Sequence, residues 1–331
     1  SVSNRNRVTA PASQPIPSTF VRHALVDVTR RDMLLAAAVA SLWGFNFVVI
    51  DWGMAGIPPL LFVAIRFAVV SLAVLFVPRP QTSWRVVVGV GLFMSLGQFG
   101  LLYTSMALGL SPGLAALLLQ AQAVLTIVIA AGVLRERPTL PQVIGVGLGV
   151  IGLAIVALGR GGDAPALAVV LCLGGALSWA IGNVIARRAG NVRGAGRAGS
   201  LSLTVWSALV VPVPALALSF AIEGPEQIRA GLAAFGWTAA LSTLYTAVLC
   251  TIVGYAVFNG LLGRNPSAAV VPWILLAPIV AMISAAVLLG EVPTAAEAIG
   301  GAILVAGVLI TGIRSRPGSR PRRHREIAHA R

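Results

Sequence analysis

The feature that most limits this chain is a succession of apolar stretches, each near the length that crosses a bilayer. They lie near residues 33–50, 59–77, 86–108, 113–134, 141–158, 165–186, 200–220, 239–262, 267–289 and 295–313. A hydrocarbon core of about 30 Å needs about 20 residues of α-helix. Amides in lipid find no water, so each stretch must satisfy its own backbone, and helices do this. The stretches are also too long and too rich in Leu and Ala for barrel strands. The expected fold is an all-α integral membrane protein of ten transmembrane helices.

Composition agrees with a lipid solvent. Charged residues make up 10% of the chain and the mean hydropathy is +0.92, whereas a soluble domain carries about 25% charged residues. The formal net charge of +14 would ordinarily point to nucleic acid, but its placement excludes that partner. Every basic residue is Arg, and most lie in the tails or between apolar stretches. With the N-terminus in the cytoplasm, 21 of the 24 arginines fall on the inner side. Without the tails the short loops still hold nine inside, against Arg160 and Arg229 outside. This bias orients the chain with both termini cytoplasmic. Residues 1–32, rich in Ser, Pro, Asn and Arg, form an expected disordered cytoplasmic tail. Residues 314–331 form a basic tail suited to anionic lipid.

The chain is also written twice. "LRERPT" at Leu134–Thr139 returns as "LGEVPT" at Leu289–Thr294, 155 residues later. Gly145 and Gly152 match Gly300 and Gly307 at the same offset, and Gly109 and Pro112 match Gly263 and Pro266 at 154. "SLWGFN" at Ser41–Asn46 resembles "LSWAIGN" at Leu177–Asn183. Three blocks in the same order predict two five-helix repeats, spanning 33–158 and 165–313. Five is odd, so the second copy enters the membrane from the opposite side. Carriers of this inverted design bind substrate between the repeats near the midplane. Thr139 with Gln142, and Thr294 with Glu297, also fit a capping box at the start of the helix after each hexapeptide.

Polar groups inside the spans are informative because hydrocarbon penalises them. Arg66, in "FVAIRFAVV", is the only formal charge well inside a span. It could face a wet cavity and meet a substrate carboxylate, or snorkel to the outer surface. Trp43 and Asn46 share one helix face, as do Trp179 and Asn183, Ser202 and Trp206, and Thr251, Tyr255 and Asn259. With Gln98, these residues could ring a cavity or bond neighbouring helices. Gln120 and Gln122 stand about 200° apart on a regular helix, so one cavity should receive only one of them. Gln122, which shares a face with Thr126, is the candidate. Trp273 lies between Pro272 and Pro278, where a kink is expected, and is a further candidate to bind substrate. Gly145, Gly149, Gly152, Gly300 and Gly307 form stripes suited to close helix packing.

Other chemistry is poorly supplied. Cys172 and Cys250 sit in apolar runs and read as buried thiols. All three histidines lie in the tails, and no Asp or Glu lies near mid-span. Neither a metal site, a cofactor nor a catalytic residue is expected, and a buried acid relay for protons is missing.

The motifs "SLWGFNFVV", "IRF", "LQAQAVLTI", "RERPT", "SWAIGNV" and "GEVPT", in this order over residues 33–313, resemble the EamA family of the drug/metabolite transporter superfamily. "GLAALLLQAQAVLTI", "LTVWSALVVP" and "TIVGY" are most similar to its bacterial O-acetylserine/cysteine exporter subgroup. The resemblance implies ten helices, a central cavity between inverted halves, and a non-enzymatic exporter. It places Trp43, Asn46, Arg66, Gln122, Trp179 and Asn183 in or near that cavity. Small multidrug relatives use an acid in their first helix, which this chain lacks. The expected cargo is an amino acid or related small metabolite moved by alternating access. Aromatic amino acids, sugars and nucleobases are the alternative cargo, and an intramembrane lipid or peptide enzyme is the alternative class. The expected partners are a small-molecule substrate and membrane lipid, with monomer and homodimer both open.

Overall fold

A computed structural model describes residues 29–159, 165–190, 197–265 and 270–312, and among these every regular element is helical. The two tails, Arg160 and Arg193 lie outside the described residues. The helices, in chain order, are α1 (Arg30–Gly53), α2 (Pro59–Leu75), α3 (Trp84–Ala107), α4 (Pro112–Val133), α5 (Leu140–Leu158), α6 (Ala166–Arg188), α7 (Arg197–Ala208), α8 (Pro212–Glu223), α9 (Pro225–Ala233), α10 (Trp237–Arg264), α11 (Pro272–Leu289) and α12 (Ala295–Thr311).

Among the described residues, α1, α3, α4, α6, α10 and α11 are long and apolar enough to cross a membrane. Residues 200–220, expected as one span, are instead two helices bent by 41° at a break before Pro212. Proline at the first helical position starts α8 readily but cannot continue the helix before it. Counted as one span, the pair makes a seventh candidate, and α2, α5 and α12 are shorter apolar helices. The amphipathic α9 has no counterpart among the expected apolar runs. It buries Ile228 and Gly231, with Gly231 set against Pro58.

Local chemistry sets the helix ends. Thr294 Oγ1 accepts the Glu297 N–H at 3.2 Å, and Glu297 accepts the Thr294 N–H at 2.8 Å. At the start of α5, Gln142 accepts the Thr139 N–H at 2.8 Å. Helix α2 is capped from a distant part of the chain, where Glu223 at the end of α8 accepts the Leu60 N–H at 2.8 Å. A carboxylate there satisfies an orphan donor and complements the positive helix end. At the start of α1, Asp32 accepts from Arg264 at 3.0 Å and Asn265 at 2.8 Å, joining it to the end of α10.

Some of the irregularities also occur in pairs. Arg135, just after α4, takes φ 53°, and Gly290, just after α11, takes φ 71°. The same left-handed turn thus follows both hexapeptide-bearing helices, with glycine at only one of them. Wide π-type turns run over Gly91–Gly97 in α3 and Tyr245–Val253 in α10, starting 154 residues apart.

The closest packing is between α5 and α12. A Cβ on Gly145 would strike the Gly307 carbonyl, and one on Gly152 would lie 2.5 Å from the Gly300 carbonyl. The converse approaches, from Gly307 to Gly145 and from Gly300 to Gly152, are 2.7 and 2.6 Å. As residue numbers rise along α5 they fall along α12, so the two helices run antiparallel. Missing side chains let the backbones meet, which supplies dispersion contacts where lipid offers no hydrophobic drive.

Candidate substrate cavity

Helices α1, α2, α3, α4, α6, α10 and α11 line a partly open cavity of about 240 Å³. Its walls are largely apolar, with Phe47, Ile50, Leu102, Leu119, Phe258 and Ile274 among them. Nine of the residues that the sequence sets at a possible cavity line it: Trp43, Asn46, Arg66, Gln98, Gln122, Trp179, Asn183, Thr251 and Tyr255.

Arg66 is 3% exposed, so it does not snorkel to the surface. Its guanidinium donates to the Tyr103 hydroxyl and, at 3.2 Å, to Thr251 Oγ1. The cation stacks over Phe99, 4.1 Å from the ring centroid. Its Nε is buried without a hydrogen-bond partner among the described residues, and no carboxylate there lies within ion-pair distance. Neutral hydroxyls therefore fix a full positive charge at the cavity wall. Such a group is costly unless an anion arrives to meet it.

The amides divide into two sets. Asn183 donates to Gln122 Oε1 at 3.2 Å and to Thr126 Oγ1 at 3.3 Å, joining α6 to α4. Asn46, Gln98 and Gln120 also line the cavity, and Asn46 Oδ1 is buried without a partner among the described residues. Buried polar groups of this kind ordinarily find a partner. Trp43 is committed within the protein, since its Nε1 donates to the Cys250 carbonyl at 2.9 Å. The wide turn of α10 presents that carbonyl.

Three expectations about facing change. Gln120 and Gln122 both line the cavity, although a regular helix would separate them. The chain tightens locally, with the Gln120 N–H bonding to Leu117 at 3.1 Å and the Ala123 N–H to Gln120 at 3.0 Å. Such three-residue turns advance by about 120° per residue, which brings the pair within about 120° of one another. Trp206 lies outside the cavity, donating to the Val77 carbonyl at 3.0 Å and packing on Trp84. Trp273 packs in a separate cluster with Leu35 and Val257. Phe99 and Gln120 are the additions to its wall, and the buried Tyr103, behind it, holds Arg66. Only Gln120 carried a polar signal, and the two rings read as ordinary apolar positions.

A bundle of mostly membrane-length helices around a partly polar hollow is the architecture a membrane carrier requires. The chain belongs to the EamA-like transporter family, whose profile matches residues 31–158 and 166–313. It is 39% identical over 286 residues to a "Probable amino-acid metabolite efflux pump" of Salmonella typhimurium (strain LT2), covering 86% of this chain and 95% of that protein. A protein of the same description in Escherichia coli (strain K12) is 35% identical with the same coverage. A "Probable terminal-alkyne amino-acid exporter" of Streptantibioticus cattleyicolor is 24% identical over 295 residues, covering 83% and 94%. A solved structure described as "Crystal structure of protein" shares the fold at a TM-score of 0.56 and 19% identity, covering 86% of this chain and 96% of that one. The family is one of transporters, in line with the expectation of a non-enzyme.

Proposed function

We infer that this protein exports amino acids or related small carboxylates across a bacterial inner membrane by alternating access. The carrying observation is Arg66, a buried cation without a carboxylate partner among the described residues, held at the wall of the central cavity. In this reading Arg66 takes the substrate carboxylate. Asn46, Gln98, Gln120, Gln122 and Asn183 offer amide contacts, and Trp43, Trp179 and Tyr255 form apolar walls. Trp206 and Trp273 act at a distance, by packing. The efflux pumps among its relatives support this cargo class. Counterflow in proteoliposomes with labelled O-acetylserine, cysteine, threonine and phenylalanine tests it. At least one should exchange well above empty vesicles, and exchange of none of these, nor of their N-acetylated forms, would reject the reading.

The transport cycle we propose uses ten spans in two inverted repeats, 33–158 and 165–313, with both termini cytoplasmic. The antiparallel glycine contacts of α5 and α12 support it. At an offset of 155, Gly145 meeting Gly307 maps onto Gly300 meeting Gly152, as a two-fold axis in the membrane plane requires. Opposed entry places the 134–139 and 289–294 loops on opposite sides. A membrane-impermeant maleimide should therefore label Val292→Cys from outside in intact cells, and Arg137→Cys only after permeabilisation. Labelling of both from one side would reject the inverted arrangement.

A further inference from the structure

We propose that the cavity selects monoanionic carboxylates whose amino group is acylated or otherwise uncharged, over the parent zwitterionic amino acids. This rests on the reading above that Arg66 meets the carboxylate, and it narrows the cargo by charge.

Among the described residues Arg66 is the only ionic one lining the cavity, and none of the acidic residues described lies on its wall. Glu291 and Glu297 line a separate pocket between α4, α11 and the start of α12. A carboxylate placed against Arg66 makes the loaded cavity neutral. A zwitterion adds an ammonium to the same cavity and restores a net positive charge with no anion to offset it. Against mostly apolar walls, in a cavity only partly open, an uncompensated charge is the unfavourable case.

The other groups on the wall suit an amide better than an ammonium. Trp43, Tyr255 and Phe258 could offer ring faces to a cation. However, Trp43 packs on both of the others at centroid separations of 5.3 Å, so these rings already cover one another in part. Asn46, Gln98 and Gln120 each bring both a carbonyl and an NH₂. An acylated amine presents one N–H and one C=O, which such a side chain can match at both ends. An ammonium brings donors only and leaves the NH₂ groups unused.

The test uses purified wild-type protein and four leucine compounds that differ in charge: N-acetylleucine, leucine, leucine methyl ester and N-acetylleucine methyl ester. Ligands that bind the folded state raise its melting temperature with concentration. The half-maximal concentration should be lower for N-acetylleucine than for leucine by about ten-fold or more. Leucine methyl ester, a cation without a carboxylate, should be the weakest. Leucine equal to or tighter than N-acetylleucine overturns the charge selection and leaves the carboxylate role of Arg66 standing. N-acetylleucine methyl ester equal to N-acetylleucine overturns the carboxylate role itself. No stabilisation by any of the four overturns both.

Discussion

Replacing Arg66 with alanine is expected to lower transport by about two to three orders of magnitude in protein that still folds. Removing one partner from a buried, hydrogen-bonded charge pair costs about 2–5 kcal/mol, and about 1.4 kcal/mol corresponds to a factor of ten. The substitution also leaves the Tyr103 and Thr251 hydroxyls without the donor they now accept from. Arg66→Lys should recover only part of the loss. An ammonium keeps the charge but lacks the planar fork that reaches two hydroxyls, stacks on Phe99 and still faces the cavity. Initial rates in proteoliposomes, normalised to inserted protein, measure both variants. Wild-type rates for Arg66→Ala would remove Arg66 from the substrate path.

The second large effect concerns assembly. Gly152→Leu should cost on the order of 3 kcal/mol or more of stability, because overpacking a close interface is destabilising. Here the obstruction is the backbone of α12, which no rotamer change can relieve. A Cβ on Gly152 would lie 2.5 Å from the Gly300 carbonyl and 2.6 Å from the Leu304 nitrogen. Gly147 is the internal control. It sits on the same helix with nothing within 4 Å of an added Cβ, so Gly147→Ala should be neutral or stabilising by up to about 1 kcal/mol. Thermal unfolding in detergent compares the two, and equal melting temperatures would show that the α5–α12 contact does not hold the fold together.

Much of this was legible in the residues. The run of apolar segments and the near-absence of charge leave helices in lipid as the workable solution, because backbone amides there have no other partner. Thr139 and Thr294 marked real helix starts, since a hydroxyl followed three residues later by Gln or Glu is a local device that needs no tertiary information. Arg66 stood out because a cation inside an apolar run must have a reason to be there. The glycine stripes foretold close packing, though not their partners.

What stayed hidden has a common cause. The face a residue presents depends on the accumulated rotation of every turn before it, and this chain departs from regular rotation inside its spans. The tight turn at Gln120 brings two glutamines to one cavity, the wide turn in α10 presents the Cys250 carbonyl to Trp43, and the break before Pro212 splits an apparent span. Side-chain identity alone also cannot reveal that Tyr103 and Thr251, from helices 148 residues apart in the chain, close on the same guanidinium. The sequence by itself determined the solvent, the helical class and the caps, because these follow from each segment's own hydrogen bonds and transfer energy. The tertiary structure alone decided which polar groups meet, because that depends on helix phase and on contacts between segments remote in sequence.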